Sequence, residues 1–113
     1  MRIPEEGKLL RIFIGEQDKW EGRPLFESIV LLARKQGLAG ATVLRGVMGF
    51  GAKSHLHTSK ILRLSEDLPM VVEIVDTDDR IRSFLQLLEP MIRDGLVTLE
   101  RVHVEIYRSG DSR

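Results

Sequence analysis

From Leu9 the chain reads Leu-Leu-Arg-Ile-Phe-Ile, which puts Leu10, Ile12 and Ile14 on one side and Leu9, Arg11 and Phe13 on the other. A period of two is the signature of a strand, whose successive side chains point to opposite faces. A charged, glycine-containing linker over residues 15–23 then leads to Pro24, whose fixed φ suits the first turn of a helix. Leu25, Ile29, Leu32 and Ala33 repeat at helical spacing, with Phe26 and Val30 widening the stripe. Arg34 and Lys35 fall in the last turn and Gly37 supplies the cap. Residues 41–51 begin β-rich and are then punctuated by Gly46, Gly49 and Gly51, predicting a second strand that ends in a turn. A polar stretch over 52–60 separates it from apolar extended segments at 61–64 and 68–75, the third strand. Thr77, followed by Asp78 and Asp79, reads as the start of a second helix. Its buried stripe is Ile81, Phe84, Leu85, Leu88 and Ile92, and Pro90 predicts an early end or kink near Glu89.

The last strand, over 96–107, changes parity. Its apolar positions are odd through Val97 and Leu99 and even at Val102, Val104 and Ile106. A pairing strand keeps its period of two unless a residue is inserted, so a bulge or loop is expected at Glu100 and Arg101. The resulting order β-α-β-β-α-β is the split βαβ, or ferredoxin-like, arrangement: an α+β fold with a four-stranded antiparallel sheet and both helices on one face. In the third strand Val71 and Val75 oppose Met70, Val72 and Ile74, so both sheet faces look apolar. Stacking of open faces in a homo-oligomer follows as an expectation.

Composition narrows the class further. One domain is expected over residues 1–113, with a core at about 9–107, because 113 residues leave no room for a second core. Seventeen basic side chains balance seventeen acidic ones, which argues against a protein that coats nucleic acid. The absence of cysteine excludes disulfides, thiolate metal sites and cysteine nucleophiles. No stretch approaches the roughly 20 apolar residues that span a bilayer, and Met1 to Gly7 is charged where a signal peptide is apolar, so a cytoplasmic protein is expected. No Ser-His-acid constellation, GxxxxGK loop or dinucleotide fingerprint is present, and no enzyme activity is expected.

Four stretches carry a resemblance: Arg11-Ile-Phe-Ile-Gly-Glu16, Gly22-Arg-Pro-Leu25, residues 37–51 with their Gly-Ala-Thr-Val-Leu-Arg-Gly and Met-Gly-Phe-Gly runs, and residues 64–76 from Leu-Ser-Glu-Asp-Leu-Pro to Asp76. The chain closely resembles a family of small PII-like proteins classed as domain-of-unknown-function family one-ninety. More distantly it is similar to the nitrogen-regulatory PII proteins. That resemblance implies a homotrimer binding an adenine nucleotide between subunits and signalling to a partner protein through the loop between strands two and three. It also implies roles for Thr42 near the adenine, for Glu73 and Val75 lining the cleft, and for Gly49, Phe50 and Gly51 where backbone approaches phosphate. Arg101 stands where PII proteins have a phosphate-binding lysine, and Lys53 where they have a glutamine. The loop is shortened and has no tyrosine, so uridylylation and 2-oxoglutarate sensing do not carry over.

Each feature also has a plainer reading. Residues 49–51 with Lys53 form either an anion cradle or a tight turn. Arg45 is either a phosphate ligand or an exposed strand residue. His55 and His57, two apart, could point the same way and bind a divalent metal in a trimer resembling the cation-tolerance proteins. A tight zinc site takes four ligands, however, and a solvated loop explains two. Trp20 reads as a lid on the core, His103 as a surface residue, and Asp76, Asp78 and Asp79 as helix-capping groups. The zero net charge is compatible with Arg45, Lys53 and Arg101 gathered around one cleft.

Overall fold

The structure is a computed structural model that describes residues 5–51 and 67–110. Its centre is strand β1 (Glu5–Gly15), whose inward residues Leu10 and Ile12 are completely buried. β1 pairs antiparallel with β5 (Pro69–Asp76) on one side and with β6 (Leu96–Val104) on the other. A short β4 (Thr42–Arg45) adds to the outer edge of β5, giving the sheet order β4-β5-β1-β6. Helices α1 (Leu25–Lys35) and α2 (Asp78–Leu88) supply Leu25, Ile29, Ala33, Ile81, Phe84 and Leu88 to the same core as Leu10, Ile12, Ile14, Met70, Val72 and Ile74. One sheet face is therefore covered by both helices and the other is open. This is the ferredoxin-like order expected from the sequence.

Pro90 acts as its chemistry requires. α2 stops at Leu88 and the chain makes a 3₁₀ turn at Glu89–Met91, since proline has no N–H to continue the helical ladder. The linker over 15–23 is more ordered than expected. It folds into a small hairpin of β2 (Lys19–Trp20) and β3 (Arg23–Pro24), with positive φ at both Glu21 (50°) and Gly22 (81°), the pattern of a two-residue hairpin turn. Trp20 packs against the core from this hairpin, as a lid would.

The expected bulge at Glu100 and Arg101 does not exist. The β1–β6 register runs unbroken from Phe13↔Leu96 to Glu5↔Val104, with no inserted residue. Val97 and Leu99 share the helix-covered face with Ile12 and Leu10, whereas Val102 and Val104 belong to the open face. The parity change records a change in which face is covered, without any change in backbone pairing. The open face is also less uniformly apolar than expected. Arg11 projects from its middle, donating from Nε to Glu73 Oε2 at 2.9 Å and from Nη1 to Glu100 Oε1 at 2.8 Å. The apolar segment at 61–64 and the polar stretch at 52–60 lie outside the described residues.

Candidate ligand cleft

At the end of the sheet where β4 begins and β5 and β6 finish, the open face is hollowed into a cleft of about 640 Å³. That volume lies within the range of small-molecule sites. Its floor follows from the register: Leu9 faces Val75 across β1 and β5, and Thr42 faces Glu73 across β4 and β5. Val102 and Val104 close the β6 side. Gly7 pairs with Val102 and has its place between these valines. A β-carbon there would come within 3.0 Å of the Asp76 carbonyl and 3.6–3.7 Å of both valines, so only glycine leaves the floor both unstrained and open.

One wall is the connector between α1 and β4, at Ala39, Gly40 and Ala41. Its position is fixed from the covered side of the sheet. Asp76, the inward residue at the end of β5, is only 1% exposed. Its Oδ2 accepts the Ala39 N–H at 2.9 Å and its Oδ1 the Thr77 N–H at 2.7 Å. Arg80 Nε lies 3.4 Å from the same carboxylate, and its Nη2 donates to the Gly37 carbonyl. A buried carboxylate is tolerable because its lone pairs are used in this way. Asp76 is therefore not a helix cap. Thr77 occupies the cap position of α2 without a side-chain bond, and Asp78 instead pairs with Lys8 at 3.3 Å and Arg82 at 3.5 Å.

The other wall is the tail after β6. Glu105, Ile106 and Tyr107 line the cleft, and the Tyr107 hydroxyl donates to the Ala39 carbonyl at 2.8 Å. At the base of the tail His103 sits between two carboxylates, with Nδ1 3.0 Å from Glu6 and Nε2 3.2 Å from Glu105. The hydrogen bond to Glu6 raises the imidazole above its ordinary 6.5, outweighing a modest loss of hydration. In the same sense the hydrogen bond to Glu73 holds the Arg11 guanidinium still more firmly protonated.

Of the residues singled out in the sequence, Thr42, Glu73 and Val75 converge on this cleft. The basic groups do not gather with them. Arg45 pairs with Met70 at the far end of β4 and ion-pairs with Glu16. Arg101 pairs with Lys8, which puts it on the opposite sheet face from Leu9 and Val75. Gly46 and Gly49 pack on Pro69, the first residue of β5, and Phe50 beyond them is 63% exposed. Six residues of extended chain, about 20 Å, separate Pro69 from Val75, so within one subunit residues 49–51 lie at the opposite end of the β4–β5 ladder from the cleft. Lys53, His55 and His57 are outside the described residues. Among the described residues no group of three or more histidine or acidic side chains is arranged to hold a metal ion. None of the described residues lining the cleft is a lysine or arginine.

The architecture is shared with solved PII-like proteins. A nitrogen-regulatory PII-like protein, CPII of Thiomonas intermedia, solved with ADP, AMP and bicarbonate, superposes with a TM-score of 0.65 at 18% identity, over 90% of this chain and 91% of that one. A putative PII-like signalling protein of Thermus thermophilus superposes at 0.60 and 16% identity, over 88% and 90%. The fold is thus that of the PII-like proteins. The chain itself belongs to the DUF190 family, described as an uncharacterised ACR, whose model matches residues 7–104. Family relatives include a UPF0166 protein of Aquifex aeolicus, 39% identical over 104 residues, 92% of this chain and 97% of the relative. Another, from Methanocaldococcus jannaschii, is 34% identical over 100 residues, 88% and 92%. No helix among the described residues is long and apolar enough to cross a membrane.

Proposed function

We propose that this chain is a cytoplasmic, non-catalytic regulatory protein of PII-like type that binds an adenine nucleotide in the cleft at the Thr42–Glu73–Val75 end of the sheet. The observation that carries the reading is the convergence of those three side chains, from two strands, on one ligand-sized hollow floored by Leu9 and Val102. Its chemistry suits the nucleoside portion of such a ligand: apolar side chains to lie against a base, with a carboxylate and a hydroxyl to take its hydrogen bonds. The CPII structures bound to ADP and AMP support the choice of ligand through shared fold.

The described lining offers the phosphates no lysine or arginine, and a neighbouring copy is the natural source of one. The half-covered apolar residues of the open face, among them Phe13, Val71 and Leu9, favour a homotrimer in which each cleft is completed by the next subunit. Binding would shift a conformational equilibrium that a partner protein reads. Titration calorimetry with ATP, ADP, AMP and cyclic AMP tests the reading: one or more should bind at one site per chain, with Glu73→Ala and Thr42→Val weakening the binding. No heat from any of the four, or light scattering that shows a monomer, would overturn it.

A further inference from the structure

We infer that residues 105–107 are a strap across the mouth of the cleft, with the Tyr107 hydroxyl as its latch and Ala39 as its catch. This rests on the reading of the cleft as a ligand site and adds how that site opens.

The two sides of the latch differ in how firmly they are held. On the catch side, the Ala39 N–H is bound by a carboxylate that is 1% exposed, Arg80 holds the Gly37 carbonyl, and Leu38 N–H bonds to the Ala33 carbonyl at 3.1 Å. That wall is tied to the core through Asp76 and through Leu38 and Ala41, which pack against it. On the strap side, the chain bends at Glu105 as it leaves β6, and Ile106 and Tyr107 are 65% and 45% exposed. To meet a connector that leads into β4, at the opposite edge of the sheet, the tail must turn across the ends of β1 and β5. Ala39 is bonded to Asp76 at the end of β5, so the crossing from β6 spans two strand intervals, about 10 Å, and the tyrosine side chain carries the hydroxyl to the Ala39 carbonyl. Because the hydroxyl is bonded to a carbonyl of the opposite wall, a ligand seated on the floor lies beneath the strap, and entry or exit requires the latch to open.

The test is Tyr107→Phe, which removes the hydroxyl and keeps the ring. Without ligand, amide hydrogen exchange at residues 105–107 should quicken about three- to tenfold, the effect of one neutral hydrogen bond, while residues 38–41 exchange as in the wild type. With ADP as the probe, stopped-flow dissociation should accelerate by a similar factor. Unchanged exchange at 105–107, or quickened exchange with an unchanged ADP dissociation rate, overturns the strap. A wild-type chain that binds none of ATP, ADP, AMP and cyclic AMP overturns the nucleotide reading instead, and the exchange comparison still decides whether the tail is latched.

Discussion

The two halves of β6 share one continuous ladder with β1 yet are apolar on opposite faces. In the first half, Val97 and Leu99 look toward the helices and add to the main core. In the second half, Val102 and Val104 look the other way, into the cleft, while Arg101 and His103 occupy the side that the helices no longer cover. A strand is apolar wherever something will cover it, and the cover changes sides along β6. Over the helices the cover is the protein's own. At the cleft it is a strap and, under the proposed function, a ligand and a neighbouring subunit.

Leu10 and Leu9 offer the sharpest test of this contrast, because they are adjacent, chemically identical and on opposite faces. Leu10 is 0% exposed within the core, whereas Leu9 is half-buried on the cleft floor. Leu10→Ala should lower unfolding free energy by about 2–5 kcal/mol, the cost of a cavity in a covered core. Leu9→Ala should cost about 1 kcal/mol and show its effect mainly in ADP affinity. Urea denaturation of the two variants checks the first difference and calorimetry the second. Equal stability losses would break the distinction between a covered and an open face.

Asp76 joins the two faces, since it is buried under the helices yet holds the wall of a cleft on the other side. Asp76→Ala should cost about 2–3 kcal/mol by leaving the Ala39 and Thr77 amides without their acceptor. The same change should quicken exchange at residues 38–41 more than elsewhere. Asp76→Asn keeps an oxygen for Ala39 and should lose less. A variant that loses stability uniformly, with no local loosening of the connector, would remove Asp76 from the positioning of the cleft.

The helices, the order of strands and the inward stripe of each element were legible because local periodicity alone determines them. The end of α2 was legible because proline dictates it. The even parity that buries Met70, Val72 and Ile74 also carries Asp76 inward, so a buried carboxylate at the end of β5 was signalled by the same pattern. Its partner Ala39, 37 residues away, was not, because no local rule relates a strand end to a distant connector. The Arg11–Glu73–Glu100 network likewise joins residues 62 and 89 apart in sequence. The parity change in β6 was visible but carries two meanings, a shifted backbone or a shifted cover, and only the register separates them. Arg45, Lys53 and Arg101 were grouped by sign of charge, whereas the fold sends Arg45 and Arg101 to opposite ends of the sheet, both on the side away from the cleft floor.

The smallest effect belongs where the helix cover gives out. His103 has the parity of the covered face but is half-exposed there, between Glu6 and Glu105, with Lys8 and Arg101 the nearby cations of that face. Its pKa is raised above 6.5 in the folded protein, chiefly by the hydrogen bond to Glu6. The imidazolium therefore contributes stability that is complete below about pH 6.5, provided the carboxylates are ionised, and that is lost as pH rises through the folded value. His103→Gln should be less stable than the wild type near pH ~5.5 and equal to it near pH ~8.5, as read from urea midpoints. Salt should narrow the gap, because the pairs are exposed. A gap that widened toward alkaline pH would mean that His103 acts through its neutral ring, as a covered residue does, and would move the boundary between the two faces beyond it.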